Sequence, residues 1–316
     1  MKDFEGIAVV FPGQGSQRLG MGKDFYEQIS VCRETYEEAG DTLGWDVSSM
    51  CFGEDERINL TEYTQPCIVT TEIAMLRGLA ERYGFMPKFF GGHSLGEFTA
   101  LVAAGVMPLG ETLRIVQTRG KLMQEAVPVG VGAMAAVISE DIDIDTLKKL
   151  MKDMLVDMAN VNSANQVVIS GETSAVREVE KRLEQMLSSP KPFRCVHLNV
   201  SAPFHSRFMK KIENTFLATL KEVGKNIKPQ NASQVTSNFT GGFHLNNVEK
   251  IRENLVNQIS NTVRWRENMQ SLAAKAGKVY EVGPGRPLRD FFKTIGVTCQ
   301  SITGLAAAEK SFNEIN

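Results

Sequence analysis

Short β-branched apolar runs alternate with longer stretches of helical period over the first third of the chain. Gly6 to Phe11 (GIAVVF) has the pattern of a buried strand and ends in the Gly-rich loop Pro12-Gly13-Gln14-Gly15-Ser16. Thr64 to Tyr83 predicts a long helix, with Gln65-Pro66 marking its start because proline fits a first helical turn. The apolar pair Phe89-Phe90 leads into Gly92-His93-Ser94-Leu95-Gly96, a helix-forming run from Glu97 to Ala104, and a second long helix over Leu109 to Ala126. Strands and helices alternating in this way predict a mostly parallel sheet covered by helices.

From Gly130 the rhythm changes. Ala133–Ile138 predicts a strand and Asp145–Leu155 a helix. Met158–Val161 and Gln166–Ser170 suit two strands joined by the turn Asn162-Ser163-Ala164-Asn165, followed by a charged helix over Ser174–Leu187 and an alternating strand over Arg194–Val200. The order βαββαβ is that of a ferredoxin-like split βαβ unit. It is expected to be an insert, residues 129–200, in an α/β domain made of 1–128 and 201–316. That larger domain should resume with helices near Met209–Val223 and Val248–Ser260, then a strand at Lys278–Val282 entering Gly283-Pro284-Gly285. The last ten or so residues are expected to be frayed.

A chain of 316 residues can hold one such domain with a smaller insert. Its net charge of -2 points to neither nucleic acid nor a membrane surface. Five scattered cysteines (Cys32, Cys51, Cys67, Cys195, Cys299), with no CxxC spacing, suit reduced thiols. Met1–Glu5 lacks the basic head and apolar core of a signal peptide, and no apolar run approaches the roughly 20 residues of a membrane span. The expectation is a cytoplasmic, monomeric enzyme.

The Gly92–Gly96 segment has the G-x-S-x-G pattern of a nucleophile elbow, and the strand-turn-helix context agrees. Ser94 would sit on a strained turn, where side chains two residues either way would collide with strand and helix. A serine nucleophile needs a base. Of the four histidines, His93 adjoins Ser94, so its ring should point away and serve as a hydrogen-bonding residue; His197 fits a half-buried strand position and His244 a solvated turn. His205, in Ser201-Ala202-Pro203-Phe204-His205-Ser206, stands where the insert returns to the main domain, a usual place for a cleft, and is the favoured base. No acid has a motif around it. A Ser-His dyad oriented by a carbonyl therefore stands level with a full triad. Arg119 lies on an apolar helix face with Ile115, Val116, Leu122 and Met123. An ion pair with an internal acid is the plainer account of it, and a bidentate clamp for a substrate carboxylate the sharper one. Gln14, in the loop after the first strand, and Leu95, after the serine, could donate the N–H groups of an oxyanion hole. Gly13 and Gly15 do not meet the dinucleotide fingerprint, because its third glycine and downstream acid are missing.

Taken together, these segments resemble the malonyl-CoA:acyl-carrier-protein transacylase family over about residues 7 to 292. The similarity rests on Phe11–Gln17, Gly92–Glu97, Arg119–Ala126, Gly132–Ala135, Asn162 with Gln166–Gly171, Phe204–Ser206 and Glu281–Gly285. It implies an α/β-hydrolase-like large domain with a parallel sheet and nucleophile elbow, plus the ferredoxin-like insert. It further implies Ser94 as nucleophile, His205 as base oriented by the main-chain carbonyl of Gln258, and Gln14 and Leu95 as oxyanion-hole donors. Arg119 would bind the malonyl carboxylate, with Met123, Phe204, Asn162 and His93 lining the substrate site. Phe204 resembles the malonyl-selecting version of its motif, whereas relatives taking methylmalonyl tend to carry a small residue there. The implied partners are malonyl-CoA and an acyl carrier protein, with no metal and no cofactor. A basic rim for the carrier protein could come from Arg207, Lys210, Lys211, Arg286 and Arg289. Ser201–Phe204 and Thr236–Gly241 look closer to free-standing acyltransferases of polyketide synthesis than to the commonest fatty-acid version. The rival is a carrier-protein-directed acyl hydrolase of the same fold, a group that tends to lack the arginine.

Overall fold

The computed structural model describes residues 6–185, 193–200 and 202–313. In chain order the first elements are β1 (Ile7–Phe11), α1 (Lys23–Gln28), α2 (Ser30–Leu43), α3 (Val47–Phe52), α4 (Thr61–Tyr83), β2 (Phe89–Gly92), α5 (Gly96–Ala103) and α6 (Leu109–Glu125). A middle group follows: β3 (Gly132–Ile138), α7 (Ile144–Leu150), β4 (Val156–Val161), β5 (Gln166–Glu172), α8 (Thr173–Gln185) and β6 (Arg194–His197). The rest comprises α9 (Glu213–Glu222), α10 (Val248–Ser260), α11 (Trp265–Ala273), β7 (Lys278–Val282), α12 (Arg289–Lys293), β8 (Cys299–Ile302) and α13 (Leu305–Asn313).

Two four-stranded sheets organise these elements. One is parallel, in the order β2-β1-β7-β8. All five residues of β1 are buried, as expected of a parallel strand covered on both faces. The register pairs Ala8 with Phe89 and Phe11 with Gly92, so the two strands end level. The Gly-rich loop after Phe11 and the turn after Gly92 therefore emerge side by side, and the His93 N–H donates to the Phe11 carbonyl at 3.1 Å. Crevices at the carboxyl ends of parallel strands are where α/β proteins bind ligands.

The other sheet is antiparallel, in the order β4-β5-β3-β6. It packs Val137, Val167 and Ile169 against Leu147, Val176 and Val179 of α7 and α8, a core of its own. A short bridge ties it to the rest of the chain: Val161 N–H donates to Val263 O at 3.0 Å, and Val263 N–H to Ala159 O at 2.8 Å.

Several boundaries differ from expectation, each for a reason in three dimensions. Helix α4 starts at Thr61, so Pro66 lies inside it. The Thr61 N–H, which a helix start leaves orphaned, donates to Gln124 Oε1 of α6 at 2.8 Å, a partner 63 residues away. Helix α7 ends at Leu150 rather than Leu155, and Asp153 takes φ 66° before β4 begins at Val156. Strand β6 stops at His197, and the helix expected from Met209 is a 3₁₀ turn over Arg207–Ile212 before α9. The C-terminal stretch expected to fray is helical as far as Asn313: α13 buries Leu305, Ala308 and Phe312, Leu305 N–H donates to Asp24 Oδ2 at 2.6 Å, and residues 314–316 lie outside the described residues. Strand β8 had no recognisable pattern. Residues 186 and 187 of the expected helix, and Ser201, lie outside the described residues. No described helix is long and apolar enough to cross a membrane.

Candidate active site

Ser94 stands on the turn between β2 and α5 with φ 52°, in the left-handed region that side chains other than glycine's rarely adopt. Its neighbours must be small. A Cβ on Gly92 would strike the backbone of Gly96, and a Cβ on Gly96 would strike the Phe11 carbonyl. The turn is fixed from outside as well, because the Ser94 N–H donates to Asn238 Oδ1 at 2.6 Å. Asn238 also donates to Gly92 O and to Asn268 Oδ1, each at 2.8 Å.

His205 also has positive φ, 54°. Its Nε2 lies 2.7 Å from Ser94 Oγ and its Nδ1 2.8 Å from the main-chain oxygen of Gln258. A carbonyl only accepts, so Nδ1 carries the ring hydrogen and Nε2 presents a lone pair to the hydroxyl. The ring is buried, and burial pushes its pKa down to about 3. The nearby Arg119 charge works in the same direction, and the bond to Gln258 opposes both. At neutral pH it is an unprotonated base. Of the two arrangements the sequence left open, the carbonyl-oriented dyad is the one present.

Arg119 of α6 is 1% exposed. Its Nη1 donates to Gln65 Oε1 at 2.9 Å, and its Nη2 donates to Gln258 Oε1 at 2.9 Å and to Ser94 Oγ at 3.1 Å. The guanidinium lies 5.4 Å from the centre of the Phe98 ring, and Nε has no partner. The internal acid expected of a buried arginine is missing, since no described carboxylate stands within ion-pairing reach of it. Burial lowers its pKa to about 10, against the opposing charge of Glu97, so it remains a cation at pH 7.

The remaining predicted residues lie around this centre. Leu95 is buried at the head of α5, while Gln14 is exposed and its amide donates to Thr61 Oγ1 at 3.3 Å. Met123 and Phe204 are buried in the main core. His93 turns away from Ser94, and its Nε2 meets Asn162 Oδ1 at 2.8 Å. Two histidines differ from expectation. His197 is exposed on β6, 3.0 Å from Glu180, and His244 is buried, its Nε2 2.8 Å from Glu97 Oε1. In the expected basic rim, Arg207, Lys210 and Arg289 pair with Asp157, Glu213 and Asp290, while Lys211 and Arg286 are exposed. Sequence reasoning passed over Gln65, Glu97 and Asn238. Only Glu97 carried a signal, the single charge in the mostly apolar helix GEFTALVA.

The acyl transferase domain family matches residues 8–284. The malonyl CoA-acyl carrier protein transacylase of Bacillus subtilis is 38% identical over 304 residues, covering 94% of this chain and 92% of the relative. That of Escherichia coli is 37% identical over 294 residues, covering 92% of each. The chain belongs to the malonyl-CoA:acyl-carrier-protein transacylase family. Among solved members, the Clostridium perfringens transacylase superposes with a TM-score of 0.88 at 30% identity, covering 98% of this chain and 96% of that one. A malonyl-transacylase in complex with a type II polyketide synthase acyl-carrier protein superposes with a TM-score of 0.87 at 33% identity, covering 98% and 99%.

Proposed function

We propose that the chain moves a malonyl group from malonyl-CoA to the thiol of an acyl carrier protein through an ester on Ser94. The observation that carries this reading is the Arg119 guanidinium, buried on neutral oxygens alone and 3.1 Å from the Ser94 hydroxyl. A buried cation without an acid partner can take an anionic group from the substrate, and the free carboxylate of malonyl is such a group.

In the first half-reaction His205 Nε2 takes the Ser94 proton as Oγ attacks the thioester carbonyl. The main-chain N–H groups of Gln14 and Leu95 hold the oxyanion, with α5 directing its N-terminal dipole toward the charge. Collapse breaks the carbon–sulfur bond. The protonated His205 returns the proton to the leaving sulfur, and coenzyme A departs as a thiol. In the second half the phosphopantetheine thiol of the carrier protein gives its proton to His205 and attacks the ester; the carbon–oxygen bond breaks and His205 returns that proton to Ser94 Oγ, restoring the free hydroxyl. The Gln258 carbonyl holds the ring in the required tautomer throughout. His93 and Asn162, joined to each other, and the buried Met123 and Phe204 complete the acyl site. Phe204 narrows the room beside the α-carbon, though one extra methyl costs only about 1–3 kcal/mol. No step calls for a metal or a cofactor.

The parallel sheet with its elbow suits an α/β-hydrolase-like body of residues 1–128 and 201–316. The strand order β4-β5-β3-β6 supports reading residues 129–200 as a ferredoxin-like unit. Five unpaired cysteines suit a reducing, cytoplasmic setting.

Intact-mass spectrometry after mixing with malonyl-CoA tests the reading. The wild type should gain one malonyl group and Ser94→Ala none. An unlabelled wild type would defeat it, and release of malonate in place of transfer would favour the hydrolytic alternative.

A further inference from the structure

Glu72, Glu97 and Glu281 are buried carboxylates that the mechanism leaves unused, and Glu97 is the one bonded to the Gln258 side chain. Glu97, in the first turn of α5, is fully buried, and both its oxygens are occupied. Oε2 accepts from the Asn238 N–H at 3.0 Å and from Gln258 Nε2 at 2.7 Å, and Oε1 accepts from His244 Nε2 at 2.8 Å. His244 is itself buried, and Asn254 Nδ2 donates to its Nδ1 at 3.2 Å, which leaves the ring hydrogen on Nε2, facing Glu97.

This arrangement bears on which way the Gln258 amide faces. A carboxylate only accepts, so Gln258 must turn its NH₂ toward Glu97, and that group also donates to the Ser94 main-chain oxygen at 2.9 Å. The amide oxygen is thereby left for Arg119 Nη2. A reversed amide would set N–H groups against the guanidinium. Charge gives a second reason. Arg119 touches only neutral groups, and Glu97 is the negative charge that opposes the lowering of its pKa by burial. A direct ion pair would occupy the edge of the guanidinium that a substrate carboxylate needs. A charge one side chain further back compensates the buried cation and leaves the guanidinium on neutral partners, with Nε unpaired.

We propose that Glu97, backed by His244, is a positioning residue that acts through the Gln258 amide to hold Arg119 in the orientation and charge balance that select a carboxylate-bearing acyl group. The inference rests on the reading that Arg119 receives the malonyl carboxylate.

The test compares kcat/KM for malonyl-CoA and acetyl-CoA in the wild type, E97Q, H244L, H244Q and R119A, with circular dichroism confirming the fold of each. In E97Q the malonyl/acetyl ratio should fall about tenfold or more, the effect of losing a charge-assisted hydrogen bond. H244L should shift the ratio the same way by less. H244Q keeps an N–H toward Glu97 and should stay within about twofold of wild type. In the R119A background, adding E97Q should leave the ratio where R119A alone puts it. A role confined to bracing the elbow would instead lower both substrates in parallel. A folded E97Q with parallel losses or an unchanged ratio overturns the proposal. If E97Q does not fold, an unchanged ratio in H244L overturns it. Should R119A itself leave the ratio unaltered, the carboxylate reading of Arg119 fails, a result distinct from failure at Glu97.

Discussion

His205 Nε2 meets Ser94 Oγ at 2.7 Å while both residues hold left-handed backbone, φ 54° and 52°. Such conformations cost on the order of 1–3 kcal/mol each and persist only where their surroundings impose them. Here the Asn238 side chain grips the Ser94 N–H and the Gln258 carbonyl grips the imidazole.

Asn238→Ala should therefore loosen the elbow. It removes the acceptor of the part-buried Ser94 N–H and the donor to the buried Gly92 O. A loss of about 2–4 kcal/mol is expected, as for a pair of buried groups left unsatisfied. Urea titration should show it as a lower midpoint at unchanged slope.

Arg119→Ala removes the only proposed ligand of the malonyl carboxylate. Truncating one partner of a buried charge pair costs roughly 2–5 kcal/mol, so kcat/KM for malonyl-CoA should fall about 30-fold or more. Acetyl-CoA, with no carboxylate, should lose far less in the same assay. Equal losses on the two substrates would defeat the clamp.

The pH dependence follows from His205. Its pKa lies near 3, below the ordinary 6.5, so the base is neutral across the physiological range and kcat/KM for loading should be level there. The Arg119 charge helps to depress it, so Arg119→Gln should move the acid limb of the profile to higher pH. The same shift affects stability. Below 6.5 the unfolded chain binds a proton that the folded chain refuses, so stability present above 6.5 is lost as pH falls toward 3. Relative to His205→Gln, the wild type should lose up to about 1.4 kcal/mol per pH unit in that window. Thermal melts at several pH values measure it.

Gly92→Ala should be far more damaging than Gly277→Ala. A Cβ at Gly92 would meet the backbone of Gly96, whereas at Gly277 it meets nothing within 4 Å. Overpacking against backbone, which cannot yield as a side chain can, costs about 1–3 kcal/mol or more. A Tm for Gly92→Ala close to that of Gly277→Ala would contradict the collision.

By itself the sequence determined what depends on neighbours along the chain. The G-x-S-x-G turn, the apolar strand before it, and the alternating strands and helices from Gly130 to His197 announce themselves through local sterics and periodicity. The helix carrying Arg119 was legible too, and so was the oddity of a charge on its apolar face. Tertiary structure decided the partners. Whether Arg119 met an acid or neutral oxygens depended on Gln65 and Gln258, 54 and 139 residues distant. His244 was expected in solvent because its local turn is polar, yet α10 and Glu97 enclose it. The start of α4 depended on Gln124, and the order of α13 on burial of Phe312. Local pattern fixes backbone conformation because it acts over a few bonds, whereas a buried polar group is satisfied by whichever donor or acceptor the packed fold brings beside it.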